Sequence, residues 1–261
     1  MQNQKQIIAR KRFSQNFLCD SNVIDKIVAN IYPQNEQHIV EIGPGLGAIT
    51  KKLLEYSPQQ LTAIEIDRNL CEILQQELKA TNFNLLNADI LSVDLTKLVN
   101  DNKKLRIIGN LPYHISTAIL FYLLQFENII YDCYFMLQEE VADRMVAKNN
   151  NKKYGRLSVM LQYHYKITKL FRIPPQAFAP QPKVYSSIVK LQPKKEKLLV
   201  KNYDLFATIV KQAFQQRRKK LNNSLKNLFN TQDWQNLKID VNLRAANLTI
   251  EDFVYLSNNH S

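Results

Sequence analysis

The sequence predicts an open α/β sheet followed by a small helical region, and three observations carry that prediction. Short apolar runs rich in Ile, Val and Leu alternate with helical patterns between His38 and Leu191. Glycine-rich or polar turns follow the early runs, at Gly43–Gly47, Glu65, Asn87–Asp89 and Gly109–Tyr113. Beyond Pro193-Lys194-Lys195-Glu196-Lys197, which reads as a linker, helical patterns predominate. Two domains follow, over residues 1–192 and 193–261.

Composition sets the outer limits. The 261 residues are 45% hydrophobic and 22% charged, ordinary values for a soluble globular chain. Nothing approaches a membrane span of about 18 uninterrupted apolar residues. Residues Met1 to Arg12 lack the apolar core of a signal peptide, so a cytoplasmic protein with no membrane partner is expected. The balance of 35 Lys and Arg against 23 Asp and Glu leaves a formal charge of +12, which fits a polyanionic partner such as nucleic acid. Three scattered cysteines give no disulfide framework, and four scattered histidines give no zinc-ligand spacing. No metal is expected.

The elements can be taken in order. A basic arm with Arg10, Lys11 and Arg12 runs into Phe13-Ser14-Gln15-Asn16-Phe17-Leu18; aromatic and amide residues after a charged arm suit contact with a ligand or RNA. A helix capped by Asp20 or Ser21 places Val23, Ile24, Ile27, Val28 and Ile31 on one face and stops before Pro33. His38–Ile42 is the first strand of the sheet. It enters Gly43-Pro44-Gly45-Leu46-Gly47 and a helix through about Glu55, a turn where backbone N–H groups can approach a ligand. The spacing is G-x-G-x-G, not the G-x-G-x-x-G of dinucleotide enzymes.

The strand Leu61–Ile64 ends at Glu65, 22 residues beyond Gly43, where an acid can bond ribose hydroxyls. The strand Phe83–Leu86 ends before Asp89, which can accept a hydrogen bond from an exocyclic amine such as that of adenine. Each acid taken singly is equally a helix cap or a surface residue. Successive strand ends with suitable polar groups describe a nucleoside pocket.

The fourth strand, through Ile107-Ile108, opens into Gly109-Asn110-Leu111-Pro112-Tyr113 and a helix through about Leu124. Asn110 offers a side-chain carbonyl, and Leu111 before a proline is biased to extended backbone. Two carbonyl oxygens side by side can accept both hydrogens of an aromatic amine and stabilise positive charge developing on its nitrogen. Tyr113 would stack on the ring. The plain alternative is a buried strand followed by a turn.

Tyr131–Leu137 is the fifth strand and Glu139–Val146 a helix, before an exposed basic loop with Lys152 and Lys153 and a further apolar helix. Tyr163–Ile173 and Val184–Leu191 are the last strands. Between them, four prolines stiffen residues 174–183, whose single aromatic, Phe178, is either a core plug or a second stacking surface facing Tyr113 across a flipped base. The final region holds helices near Tyr203–Gln216, Lys219–Phe229 and Ile250–Leu256. The run Arg217-Arg218-Lys219-Lys220 is a solvated face or a contact with an RNA backbone.

Taken together, these motifs resemble the ribosomal RNA adenine dimethyltransferase family. The matching stretches are 12–18 (RFSQNFL), 41–47 (EIGPGLG), 64–67 (IEID), 87–91 (NADIL), 109–113 (GNLPY), 178–184 (FAPQPKV) and 217–225 (RRKKLNNSL), in the family's order. The resemblance implies a Rossmann-like class I methyltransferase sheet of seven strands with a small C-terminal all-helical domain. It implies S-adenosyl-L-methionine as cofactor, held at Asn16, Leu18, Gly43, Glu65, Asp89 and Asn110. Asn110, Leu111, Pro112, Tyr113 and Phe178 would form the catalytic set. The implied substrate is 16S rRNA in the small ribosomal subunit or its late precursor, dimethylated at N6 of two adjacent adenosines near its 3′ end during ribosome biogenesis by a monomeric enzyme. Arg10, Lys11, Arg12, Lys152, Lys153 and Arg217–Lys220 would contact RNA. Glu139 stands where the resemblance implies a basic residue.

Three rivals differ in kind. A dinucleotide-dependent oxidoreductase is disfavoured by the glycine spacing. A non-catalytic RNA-binding factor on the same fold would be expected to have lost the Asn-Leu-Pro-Tyr turn, which is intact. A DNA adenine methyltransferase uses a similar turn and is separated by methyl incorporation into DNA against RNA.

Overall fold

The computed structural model describes residues 16–100 and 103–260. Its first element in chain order is the short strand β1 (Phe17–Leu18), followed by helix α1 (Ser21–Ile31). Asp20 caps α1 by accepting from the N–H groups of Asn22 and Val23, and the helix ends at Tyr32, whose φ of 51° is left-handed. Ile27, Val28 and Ile31 are buried, on the face that the sequence marks as apolar.

Then come β2 (His38–Ile42), α2 (Ala48–Leu54), β3 (Gln60–Glu65), α3 (Arg68–Glu77), β4 (Phe83–Asn87), β5 (Leu105–Asn110), α4 (Ser116–Leu123), β6 (Ile130–Gln138) and α5 (Glu139–Val146). They continue with α6 (Arg156–His164), β7 (Tyr165–Ile173), β8 (Phe178–Ala179) and β9 (Ser186–Pro193). One sheet has seven strands in the order β4-β3-β2-β5-β6-β9-β7. The pairs from β4 across to β6 are parallel, and β9 runs antiparallel to β6. The chain builds outward from β2 through β3 to β4, then returns beside β2 with β5. That reversal opens a crevice beyond the carboxyl ends of β2 and β5.

The central parallel strands are covered on both faces: β2 is buried throughout, and β5 is buried up to Asn110, while the edge strand β4 is partly exposed. One buried polar lock crosses β5 and β6. Arg106 donates to both carboxylate oxygens of Asp132, its cross-strand partner, at 2.7 and 2.9 Å, and to the Ile31 carbonyl at 2.8 Å. It ties the end of α1 to the sheet.

The chain forms two compact units, residues 1–142 with 168–192 and residues 143–167 with 193–261. The sequence boundary at 192/193 is one of the crossings. Residues 143–167, assigned above to the first domain, instead join the second unit because α6 packs there on the helices that follow. These are α7 (Tyr203–Gln215), α8 (Leu221–Ser224), α9 (Thr231–Asn236) and α10 (Ile250–Asn258). Phe206, Ile209, Val210 and Phe253 form part of this unit's core.

Several elements differ from expectation. The helix expected over Lys219–Phe229 shrinks to α8, since Asn222, Asn223 and Ser224 favour turns over helix interiors. α9 went unread, although Asn230 and Asp233 form a capping box that announces it. α3 also went unread, with Asp67 as its cap and Leu70, Cys71 and Leu74 as its buried face. α6 runs to His164, so β7 starts two residues later than its pattern suggests.

Candidate functional site

A cavity of about 380 Å³ opens in the crevice, within the usual size range of ligand sites. Its lining comes from the segments that leave β2, β3, β4 and β5, and from Asn16, Phe17 and Leu18. β1 pairs with β8 in the register Phe17↔Ala179 and Leu18↔Phe178, and the Cys19 N–H donates to the Ala177 carbonyl at 2.9 Å. Those bonds hold the segment at residues 16–18 over the open end of the sheet.

The turn after β2 has left-handed backbone at Gly43 (φ 66°) and Gly45 (φ 60°), which other residues rarely adopt. A Cβ at Gly45 would lie 3.1 Å from the Phe17 ring. Glu65, at the end of β3, accepts from the Gly45 N–H at 3.3 Å with one oxygen and from the Asp67 N–H at 2.9 Å with the other. Burial raises its pKa above the ordinary carboxylate value, while these N–H bonds pull it back. Asp89 caps the turn after β4 through the Leu91 N–H at 3.0 Å, as the helix-cap reading expects, and also lines the cavity. Ile66 lines the cavity with 52% of its surface exposed, an apolar side chain facing open space.

At the end of β5, the Asn110 side-chain N–H group donates to the Asn16 carbonyl at 3.2 Å. That bond fixes the amide's orientation and leaves Oδ1 as its acceptor end. The Leu111 N–H donates to the Met136 carbonyl at 3.1 Å, anchoring the turn to β6, while the Leu111 side chain is fully buried. Gly109 is required just before them: a Cβ there would meet the Ile42 carbonyl at 2.7 Å. Tyr113 lines the cavity, half-buried, and its hydroxyl lies 2.8 Å from Ser186 Oγ on β9. Burial raises the Tyr113 pKa, against the pull of the Ser186 hydrogen bond.

The structure thus gathers Asn16, Leu18, Gly43, Glu65, Asp89, Asn110, Leu111, Pro112 and Tyr113 around one cavity. Phe178 does not join them. It is 4% exposed, packed in the core with Leu18, Ile173 and Ala177, and absent from the cavity wall. Its pairing with Leu18 holds it inside the core, the position that the core-plug alternative describes.

Of the RNA-contact set, Arg10, Lys11 and Arg12 lie outside the described residues. In the second unit, Arg217 donates to the Lys152 and Tyr154 carbonyls at 2.7 and 2.9 Å, a structural use of the guanidinium. Lys153 pairs with Asp143 at 2.6 Å, and Lys220 donates to Asn242 at 2.8 Å. Lys152, Arg218 and Lys219 are exposed. Glu139 is paired with Lys169 at 3.2 Å and Arg172 at 2.9 Å, and Arg172 lies 3.4 Å over the Tyr185 ring.

Sequence reasoning missed Glu41 and Ser186. Glu41 is buried on the cavity wall and accepts from Thr50 Oγ1 at 2.6 Å; burial and, more weakly, the Glu65 charge push its pKa up to about 7. An acid inside an otherwise apolar strand was its available signal. Ser186 had none, since only the fold brings it to Tyr113. Among the described residues no group of three His, Cys, Asp or Glu side chains could hold a metal ion, and no helix is long and apolar enough to cross a membrane.

The family model for "Ribosomal RNA adenine dimethylase" matches residues 7–260. A relative from Hahella chejuensis, called ribosomal RNA small subunit methyltransferase A, is 48% identical over 251 residues, 95% of this chain and 92% of that one. A Francisella tularensis protein of the same name is 46% identical over 254 residues, covering 96% and 97%. Among solved structures, a dimethyladenosine transferase from Plasmodium falciparum superposes with a TM-score of 0.75 at 25% identity, over 92% of this chain and 95% of that one. The 23S rRNA methyltransferase ErmE gives 0.70 at 22% identity over 94% and 99%, a likeness of fold.

Proposed function

The chain belongs to the ribosomal RNA adenine dimethylase family, and from that premise we propose the small-subunit reaction carried by its 46–48% identical relatives. The protein is an rRNA adenine dimethyltransferase that uses S-adenosyl-L-methionine. Its proposed substrate is 16S rRNA, at N6 of two adjacent adenosines near the 3′ end, within the small subunit or its late precursor. A monomeric cytoplasmic enzyme is the simplest form of this reading.

The cavity fits the cofactor. Glycine backbone with positive φ suits close approach at Gly43 and Gly45, Glu65 suits ribose hydroxyls, Asp89 an adenine amine, and Ile66 one face of a purine. Asn16 and Leu18 would close the pocket, with Gly43 and Asn110 completing its lining. The cofactor supplies a methyl group on a sulfonium, an electrophile that needs no metal.

The remaining work falls to the Asn-Leu-Pro-Tyr turn. The target amine is a poor nucleophile because its lone pair is delocalised into the ring. Asn110 Oδ1 and the Leu111 carbonyl would each accept one N6 hydrogen and favour a more pyramidal nitrogen. These fixed dipoles also stabilise positive charge as it develops on that nitrogen. Tyr113 would stack on the flipped base, Pro112 would stiffen the turn, and holding amine and methyl group together supplies much of the remaining rate. No strong base is required, because the alkylated amine loses its proton readily.

The carrying observation is the Asn110 amide, whose N–H group is tied to Asn16 so that its oxygen is left to accept. The test uses small subunits from a strain lacking the modification, incubated with protein and S-adenosylmethionine. Mass spectrometry of digested rRNA should show N6,N6-dimethyladenosine in small subunits and none in parallel large subunits. Signal confined to large subunits overturns the substrate assignment.

A further inference from the structure

We infer that Ser186 is a positioning residue for the methyl transfer: it anchors the Tyr113 ring as a fixed stacking wall. The inference rests on the reading that Tyr113 receives the target adenine. Tyr113 follows a turn and precedes α4, so its backbone leaves the sheet just where the ring must be steady. Its hydroxyl lies 2.8 Å from Ser186 Oγ, and Ser186 is fully buried. Ser186 is itself rigid. It opens β9 opposite Gln138, the last residue of β6, and the next pairing is Leu137↔Ser187. The neighbouring Glu139 N–H donates to the Tyr185 carbonyl at 2.9 Å, which extends the anchorage past the strand end. β6 also holds the other side of the same turn, through the bond from Leu111 N–H to Met136. The Leu111 backbone and the aromatic wall are therefore both referred to the end of β6, the first directly and the second through Ser186.

Two consequences follow for the chemistry. The Tyr113 hydroxyl is engaged away from the reacting amine, so the residue works through its ring face and not as an acid or base. A half-buried tyrosine without that bond would sample several ring orientations, and the base stacked on it would lose alignment with the methyl donor. Misplacement of this kind lowers turnover more than it lowers binding.

The test combines Ser186→Ala, Tyr113→Phe and the double variant, assayed on small subunits with cofactor affinity and thermal midpoint measured alongside. Each single change should lower kcat by about fivefold, the scale of one neutral hydrogen bond, with cofactor affinity unchanged and the midpoint lowered by only about 2–4 °C. The double variant should fall no further, because both changes cut the same bond. Ser186→Thr, which restores a hydroxyl, should recover part of the rate. Losses that multiply in the double variant, or an unaltered Ser186→Ala rate, overturn the inference, as does a loss of midpoint and cofactor affinity with kcat intact. Carbon-13 NMR of labelled tyrosine in the free protein checks the anchor without substrate: Ser186→Ala should speed flipping of the Tyr113 ring, and unchanged flipping also overturns it. A wild-type protein that yields no dimethyladenosine in small subunits instead marks failure of the substrate assignment, while the ring-flip result still judges the anchor.

Discussion

At the residue scale, the candidate chemistry depends on a few oriented polar atoms. Replacing Asn110 with Ala removes the oriented Oδ1 acceptor, and turnover should fall by about 10²–10³, the range for losing a single preorganised transition-state partner. Single-turnover methylation of small subunits measures this, with circular dichroism checking the fold. Glu41 gives a prediction in pH. Its pKa rises from an ordinary 4.5 to about 7 because burial disfavours the carboxylate. Between those values the folded chain keeps a proton that the unfolded chain has lost. Stability from this group therefore declines as pH rises from about 4.5 to about 7 and is level above. Glu41→Gln keeps an acceptor for Thr50 and should flatten that decline, so its thermal midpoint should gain on the wild type between pH 5 and 8. Parallel pH profiles would show the assignment to be wrong. Glu41 was legible only as a charged residue in an apolar strand; that it faces the cavity depends on strand register.

At the element scale, the strands and the turns that follow them were the most readable part of the chain. Alternating runs and Gly, Pro or Asn punctuation are local properties, and His38–Ile42 and Gly43–Gly47 read directly from them. The short strands β1 and β8 were not readable, since two residues have no periodicity; their pairing across 160 positions is tertiary. It also decided the place of Phe178, whose type suits a base platform as well as a core. The Arg106–Asp132 lock shows what strand pairing costs when broken. Asp132→Ala leaves a buried guanidinium without its carboxylate and should destabilise by about 3–5 kcal/mol in urea unfolding. Denaturation as late as wild type would show that the pair contributes nothing to stability.

At the scale of the whole molecule, the formal charge of +12 is a sequence property that sets long-range attraction to RNA, while the fold decides which cations are exposed. Arg217, Arg218 and Lys219 are all exposed, and Arg217 also holds two backbone carbonyls. Removing Arg218 or Lys219 should weaken small-subunit binding and reduce the slope of log affinity against log salt by about 1 each, with unchanged thermal stability. Arg217→Ala should instead lower the midpoint. Filter binding at several salt concentrations and a melting curve separate the two outcomes.

The sequence by itself determined the α/β class, the order of its strands along the chain, the glycine and Asn-Leu-Pro-Tyr turns, and the family. Those are written in local periodicity, in turn chemistry and in residue types at short spacing. Only the tertiary structure decided the strand order that opens the crevice between β2 and β5. It also made Ser186 a partner of Tyr113, put Phe178 into the core, and moved residues 143–167 into the second compact unit. Each of these depends on which distant segments pack together, and packing is settled by the whole set of apolar faces at once.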